Sequence, residues 1–253
     1  MEPEIRKKGD DMKRFTIVFF FLLSIQTFSE SLTFSAGLKV EPYIIETQDA
    51  GFEVDIVREA FALEGYNVQF DYQPLLRTKY SFKIGHVDGV MTIKKHYPEV
   101  QGAFFSEQYI TYHNFAISLR SNNYKINTAS DLAGVAVAGF QQAKFALGQE
   151  FELMAKNNSS YREMAHQNGQ ISMLFSKHTD IIILDHLIFN YYRNRLTNHS
   201  SRQPVTLHDL FEPSVYRMAF KDDKIRDTFN MGLKKLKSLG HYNKIINRYI
   251  KNK

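Results

Sequence analysis

The sequence predicts an α/β chain folded as two lobes. Three observations lead there. Strand and helix patterns alternate through the first half of the chain, and the same alternation returns in the second half. The chain then closes on an amphipathic helix, a glycine stop and a second short helix between Asp222 and Ile246.

The elements follow in order. Leu32 to Val40 reads as a strand, and Tyr43-Ile44-Ile45 enters a loop after Pro42. Phe52, Ile56, Ala60 and Leu63 recur at helical spacing, and Gly65 stops that helix. Val68, Phe70 and Tyr72 alternate as a strand does. A helix over Leu76–Ile84 leads to a strand over Val87–Ile93, which completes a parallel-sheet pattern. Ala103–Ser106 and His113–Leu119 are extended. Thr128-Ala129-Ser130-Asp131 forms a capping box, with Gly134 as its stop. Strands over Val135–Ala138, Tyr161–Ala165 and Thr179–Leu184 alternate with helices over Lys144–Lys156, Asn168–Phe175 and His186–Asn194. The run Ile181–Leu184 is apolar throughout, as a strand buried on both faces is. Ile225, Phe229, Leu233 and Leu236 share one face of the closing helix, and Lys234, Lys235 and Lys237 crowd its last turns ahead of Gly240.

The chain has 253 residues, 43% hydrophobic and 23% charged, enough for one large domain or two small lobes. Its net charge of +5 is mild and spread along the chain, so nucleic acid is not an expected partner. Lys13-Arg14, the uncharged run Phe15–Ile25 and the small residues after it read as a secretory signal peptide over residues 1–29. Met12 is a second candidate initiator. The run is too short to span a bilayer, which takes about 20 residues as a helix. No cysteine is present, hence no disulfide and no lipid-bearing thiol after the leader. A monomer free in the periplasm is the expectation. The histidines form no HExxH and no close pair, and neither GxSxG nor a cysteine nucleophile occurs. No catalytic residue, metal or cofactor is expected.

Six motifs in order carry a resemblance: Gly51-Phe52-Glu53-Val54-Asp55, Gly85-His86-Val87-Asp88, Phe105-Ser106-Glu107-Gln108-Tyr109, Leu132-Ala133-Gly134, Val135-Ala136-Val137-Ala138-Gly139 and Ile181-Ile182-Ile183-Leu184-Asp185. Together with the closing helices, they resemble the bacterial extracellular solute-binding proteins of family 3. These are periplasmic binders that serve polar amino-acid ABC transporters. The resemblance spans nearly all of the chain behind the leader. It implies a two-lobed periplasmic-binding-protein fold of type II, with the ligand cleft between α/β lobes joined by a two-strand hinge. Lobe 1 would hold residues 32–114 and 217–253, and lobe 2 residues 117–214. The crossing strands would lie near Phe115–Ile117 and Val215–Met218.

In open α/β sheets ligands bind beyond the carboxyl ends of strands. That rule selects the loops carrying Tyr43, Arg77, Met91, Thr92 and Lys94 in the first lobe, and Gly139, Phe140, Gln141, Gln142 and Asp185 in the second. By resemblance, Asp185 takes a ligand ammonium; as a residue it equally suits a helix N-cap. Backbone N–H groups after Gly139 suit an anion, or form an ordinary strand–helix turn. Tyr43 and Phe140 are candidate clamps or core aromatics, and Arg77 a candidate charge or a solvated surface residue. One departure stands out. Amino-acid binders of this family carry an arginine shortly after the third strand, and no arginine lies between Arg77 and Arg120 here. Lysine does not replace its planar fork.

The expected function is capture of a small polar solute, an amino acid or related metabolite, for an inner-membrane ABC permease or a membrane sensor. One alternative is a prephenate-type dehydratase on the same fold, with Asp185, His186 or Glu99 as acid or base. Another is a degenerate domain that only mediates protein contacts.

Overall fold

The computed structural model describes residues 31–197 and 202–250. The expected signal peptide at 1–29 lies outside them. Within them no helix is long and apolar enough to cross a membrane.

The first sheet joins β1 (Ser31–Gly37), β2 (Asn67–Gln73), β3 (Gly89–Ile93), β4 (Phe104–Phe105), β5 (Ile110–Tyr112) and β11 (Ser214–Phe220). Its order is β2-β1-β3-β11-β4, with β5 paired to β11. Strands β2, β1 and β3 are parallel, as the alternation predicts, whereas β11 runs antiparallel to its neighbours. The second sheet joins β6 (Asn114–Leu119), β7 (Val137–Phe140), β8 (Tyr161–Met164), β9 (Ile181–Asp185) and β10 (Val205–His208) in the order β10-β6-β9-β7-β8. Here β7 is parallel to β8 and β9, while β6 is antiparallel to β9 and β10. Each sheet is therefore mixed, because each receives one strand that arrives from the other lobe.

The crossing differs from expectation. Phe115, Ala116 and Ile117 pair with β9 and β10 inside the second sheet. The chain passes between sheets at His113 and again over 209–213. Residues 114–119 are too apolar to serve as an open connector: Ala116, Ile117 and Leu119 are at most 1% exposed.

Helices α1 (Phe52–Ala62), α2 (Leu75–Lys83), α7 (Asp223–Ser238) and α8 (His241–Ile250) accompany the first sheet. Helices α3 (Ala143–Ala146), α4 (Gln149–Asn157), α5 (Gln167–Phe175) and α6 (His186–Arg193) accompany the second. The single helix expected over Lys144–Lys156 is broken at Gly148, whose φ of +94° a helix interior does not accept. Strands β5 and β10 have no clear periodicity and escape sequence reading. The closing pair forms as expected: Phe229, Leu233 and Leu236 are buried, and Gly240 turns the chain at φ +69°. A Cβ at Gly232 would lie 1.9 Å from the Ala60 carbonyl oxygen, so α7 reaches α1 only because that position lacks one.

Candidate functional site

The two lobes enclose a cleft of about 110 Å³. From the first lobe, Val40, Ile44, Thr78, Lys79, Met91, Thr92 and Tyr97 line it. From the second come Asn114, Phe140, Gln141, Gln142, Gln167 and Ile188, and Tyr112 and Tyr216 stand where the connecting strands pair. The lining is apolar, aromatic and amide-rich, and among the described residues Lys79 is its one charged side chain.

Two buried carboxylates underlie this cleft. Glu53, on the first turn of α1, is fully buried and accepts from three hydroxyls: Thr92 Oγ1 at 2.6 Å, Tyr112 at 2.7 Å and Tyr109. Burial pushes its pKa up, and the three hydroxyl donors oppose that. The helix starts there because Gly51 holds φ +122°, where a Cβ would meet the Tyr43 carbonyl oxygen at 2.2 Å. Thr92 sits at φ +57°, an unusual conformation for a β-branched residue, with its backbone N–H donating to the Tyr109 hydroxyl at 3.0 Å.

Asp185 ends β9 and is 1% exposed. Its Oδ1 accepts from Leu187 N at 2.8 Å and Ile188 N at 3.1 Å, capping α6. Its Oδ2 accepts from His113 N at 2.8 Å and the Tyr43 hydroxyl at 3.0 Å. The carboxylate is thus satisfied by the chain itself and does not line the cleft. Burial raises its pKa, against those donors.

The remaining candidates separate in the same way. Tyr43 is buried, stacked on Tyr112 with ring centroids 3.8 Å apart, and lies behind the cleft rather than in it. Arg77 is exposed on the outer side of α2 and away from the cleft, because its position falls off the helix's inward stripe. Gly139 is buried against Tyr161 and Ala143. The backbone N–H groups after it are already filled by an internal anion: Glu163 accepts from Gln142 N at 2.7 Å and Lys144 N at 3.1 Å. Lys94 reaches across the lobes to the Ala146 carbonyl at 3.3 Å and Ser214 Oγ at 3.2 Å. Met91, Thr92, Phe140, Gln141 and Gln142 do line the cleft. Sequence reasoning missed Lys79, Tyr97, Tyr112, Asn114, Gln167 and Tyr216. For Lys79 a signal existed. It shares the face of Leu75, Thr78 and Phe82, at helical spacing, so a lysine stands on the inward stripe of α2.

The model of the bacterial extracellular solute-binding proteins, family 3, matches residues 34–252. The chain belongs to this family. No curated protein matches the sequence. Solved structures match in fold. The GluR0 ligand-binding core in complex with L-glutamate has a TM-score of 0.72 at 14% identity, covering 88% of this chain and 99% of that one. A histidine kinase sensor domain with similarity to periplasmic binding proteins has a TM-score of 0.72 at 18% identity, covering 88% and 96%. An ABC uptake transporter substrate-binding protein from Streptococcus pneumoniae with bound histidine has a TM-score of 0.70 at 16% identity, covering 88% and 93%. The chain shares with them the two-lobed type II architecture, its cleft lying between the lobes.

Proposed function

We propose that this solute-binding protein captures a small polar solute in the interlobe cleft by closure of its lobes and does no chemistry on it. One observation carries this reading: a cleft lined from both lobes, with lobe-to-lobe hydrogen bonds from Tyr43 to Asp185 and from Lys94 to the Ala146 carbonyl. Contacts that form only when lobes meet are what a hinge-closing binder needs. The lobes follow the two sheets, with β6 from Asn114 in the second and β11 from Ser214 in the first, and the protein acts as a monomer in the periplasm. Delivery is to an ABC permease or a membrane sensor, in keeping with relatives of both kinds. The dehydratase alternative draws no support from geometry, since Asp185, His186 and Glu99 do not line the cleft.

The test is a thermal-shift screen over amino acids, amines, organic acids and sugars, followed by small-angle scattering with each hit. A hit that leaves the radius of gyration unchanged at saturation argues against lobe closure.

A further inference from the structure

The chemistry of the cleft wall narrows the solute class, given that the cleft is the solute site. A free α-amino acid brings an ammonium and a carboxylate. Each needs an opposite partner when it leaves water.

For an ammonium, the wall has no carboxylate among the described residues. Three acids behind the wall that hydrogen-bond to its lining residues are committed to internal partners. Glu53 accepts from three hydroxyls, Asp185 from four donors, and Glu163 from two backbone N–H groups and the Tyr161 hydroxyl. Each would have to surrender an internal hydrogen bond to meet a ligand.

For an anion, Lys79 is available. It is 5% exposed, lines the cleft from α2, and its ammonium lies 3.8 Å from the centroid of the Tyr97 ring. Glu99 acts on it only at longer range and forms no ion pair with it. Burial lowers the pKa of Lys79, which is what an ammonium short of a counter-ion does. On the opposite wall Gln167, at the start of α5, lines the cleft with a buried Oε1 that has no hydrogen-bond partner. A buried acceptor left open is costly, and an O–H or N–H donor from a ligand repairs it.

We propose that the cleft selects a small carboxylic acid whose second polar group is an uncharged donor, such as a 2-hydroxy acid, over the matching α-amino acid. The carboxylate pairs with Lys79, the hydroxyl donates to Gln167, and the apolar remainder packs among Met91, Phe140 and Ile188. A 2-hydroxy acid has nearly the size of its amino counterpart, so the discrimination is by charge. The like charge of Lys79 and the lack of a counter-ion both act against an ammonium.

The test is calorimetric titration of the full chain with matched pairs: lactate and alanine, 2-hydroxyisocaproate and leucine, 3-phenyllactate and phenylalanine. In at least one pair the hydroxy acid should bind about tenfold or more tightly than its partner, the worth of one charge-assisted contact. Lys79→Gln should weaken that binding by a similar factor, with the melting transition retained. Gln167→Glu, which supplies a carboxylate on the wall, should move preference toward the amino acid even if Lys79→Gln folds poorly. An amino acid that binds as tightly as or more tightly than its hydroxy acid in every pair overturns the inference and leaves the solute-binding reading standing. Binding of no pair member also overturns it. If, in addition, nothing in the wider screen produces a thermal shift, the solute-binding reading falls with it.

Discussion

The Tyr43 hydroxyl donates to Asp185 Oδ2 at 3.0 Å, joining a first-lobe loop to the end of a second-lobe strand. The bond closes the last vacancy on a carboxylate already held by three backbone N–H groups. Removing it should loosen the lobes. Tyr43→Phe is expected to cost about 1.5–3 kcal/mol of stability, as for a buried hydrogen bond to a charged group. It should also raise the radius of gyration of the solute-free protein. Denaturant titration and scattering check both. An unchanged radius would mean that other contacts set the lobe angle.

Glu53 predicts a pH signature. Its folded pKa lies above the ordinary glutamate value because burial outweighs the three hydroxyl donors. The folded state therefore holds a proton that the unfolded state has lost, and stability falls as pH rises from about 4.5 through the folded pKa. Glu53→Gln removes this contribution. Relative to the parent, the variant should gain stability as pH rises through that window. Urea midpoints at successive pH values give the difference curve, and a flat difference would show that Glu53 titrates normally.

Lys79 should trade stability for binding. Its buried ammonium has a lowered pKa, so charge burial outweighs what the Tyr97 ring and Glu99 return. Lys79→Met keeps the stem and removes the charge. It is expected to stabilise the solute-free protein by about 1 kcal/mol, as replacement of buried charge by a well-packed apolar group often does. Calorimetric melting without solute reads this. A lower melting temperature would mean that the ammonium is structural.

Gly232 should not tolerate a methyl group. In Gly232→Ala the new Cβ would sit 1.9 Å from the Ala60 carbonyl oxygen, so α7 must back away from α1. The expected loss is about 3 kcal/mol, in the range of overpacking within a well-packed core. A denaturation midpoint equal to the parent's would show that the two helices do not cross there.

The fold was legible because its signals are local. The apolar run Ile181–Leu184, the stripe Phe229–Leu233–Leu236 and the stops at Gly65, Gly134 and Gly240 each announce an element with its own few residues. Strand β5 was not legible, since Ile110–Tyr112 becomes a strand only by pairing with β11, about a hundred residues on. The site was half legible. Strand ends identified the right loops, and Met91, Thr92, Phe140, Gln141 and Gln142 do line the cleft. What sequence could not reveal was how polar groups would be spent. The partners of Asp185 and Glu163 include residues 72 and 21 positions away, and only the folded chain reveals that those carboxylates are filled. Arg77 and Lys79 lie two positions apart on α2, and the helical turn alone sends one outward and the other to the cleft.

Solute is expected to bind between the lobes. The most direct test compares the full chain with an Ala146→Trp variant, whose indole would occupy the cleft from α3. The solute giving the largest thermal shift is titrated into both by calorimetry. Saturable binding to the parent and none to the folded variant is the predicted result. Equal affinity in the two would place the solute outside the interlobe cleft.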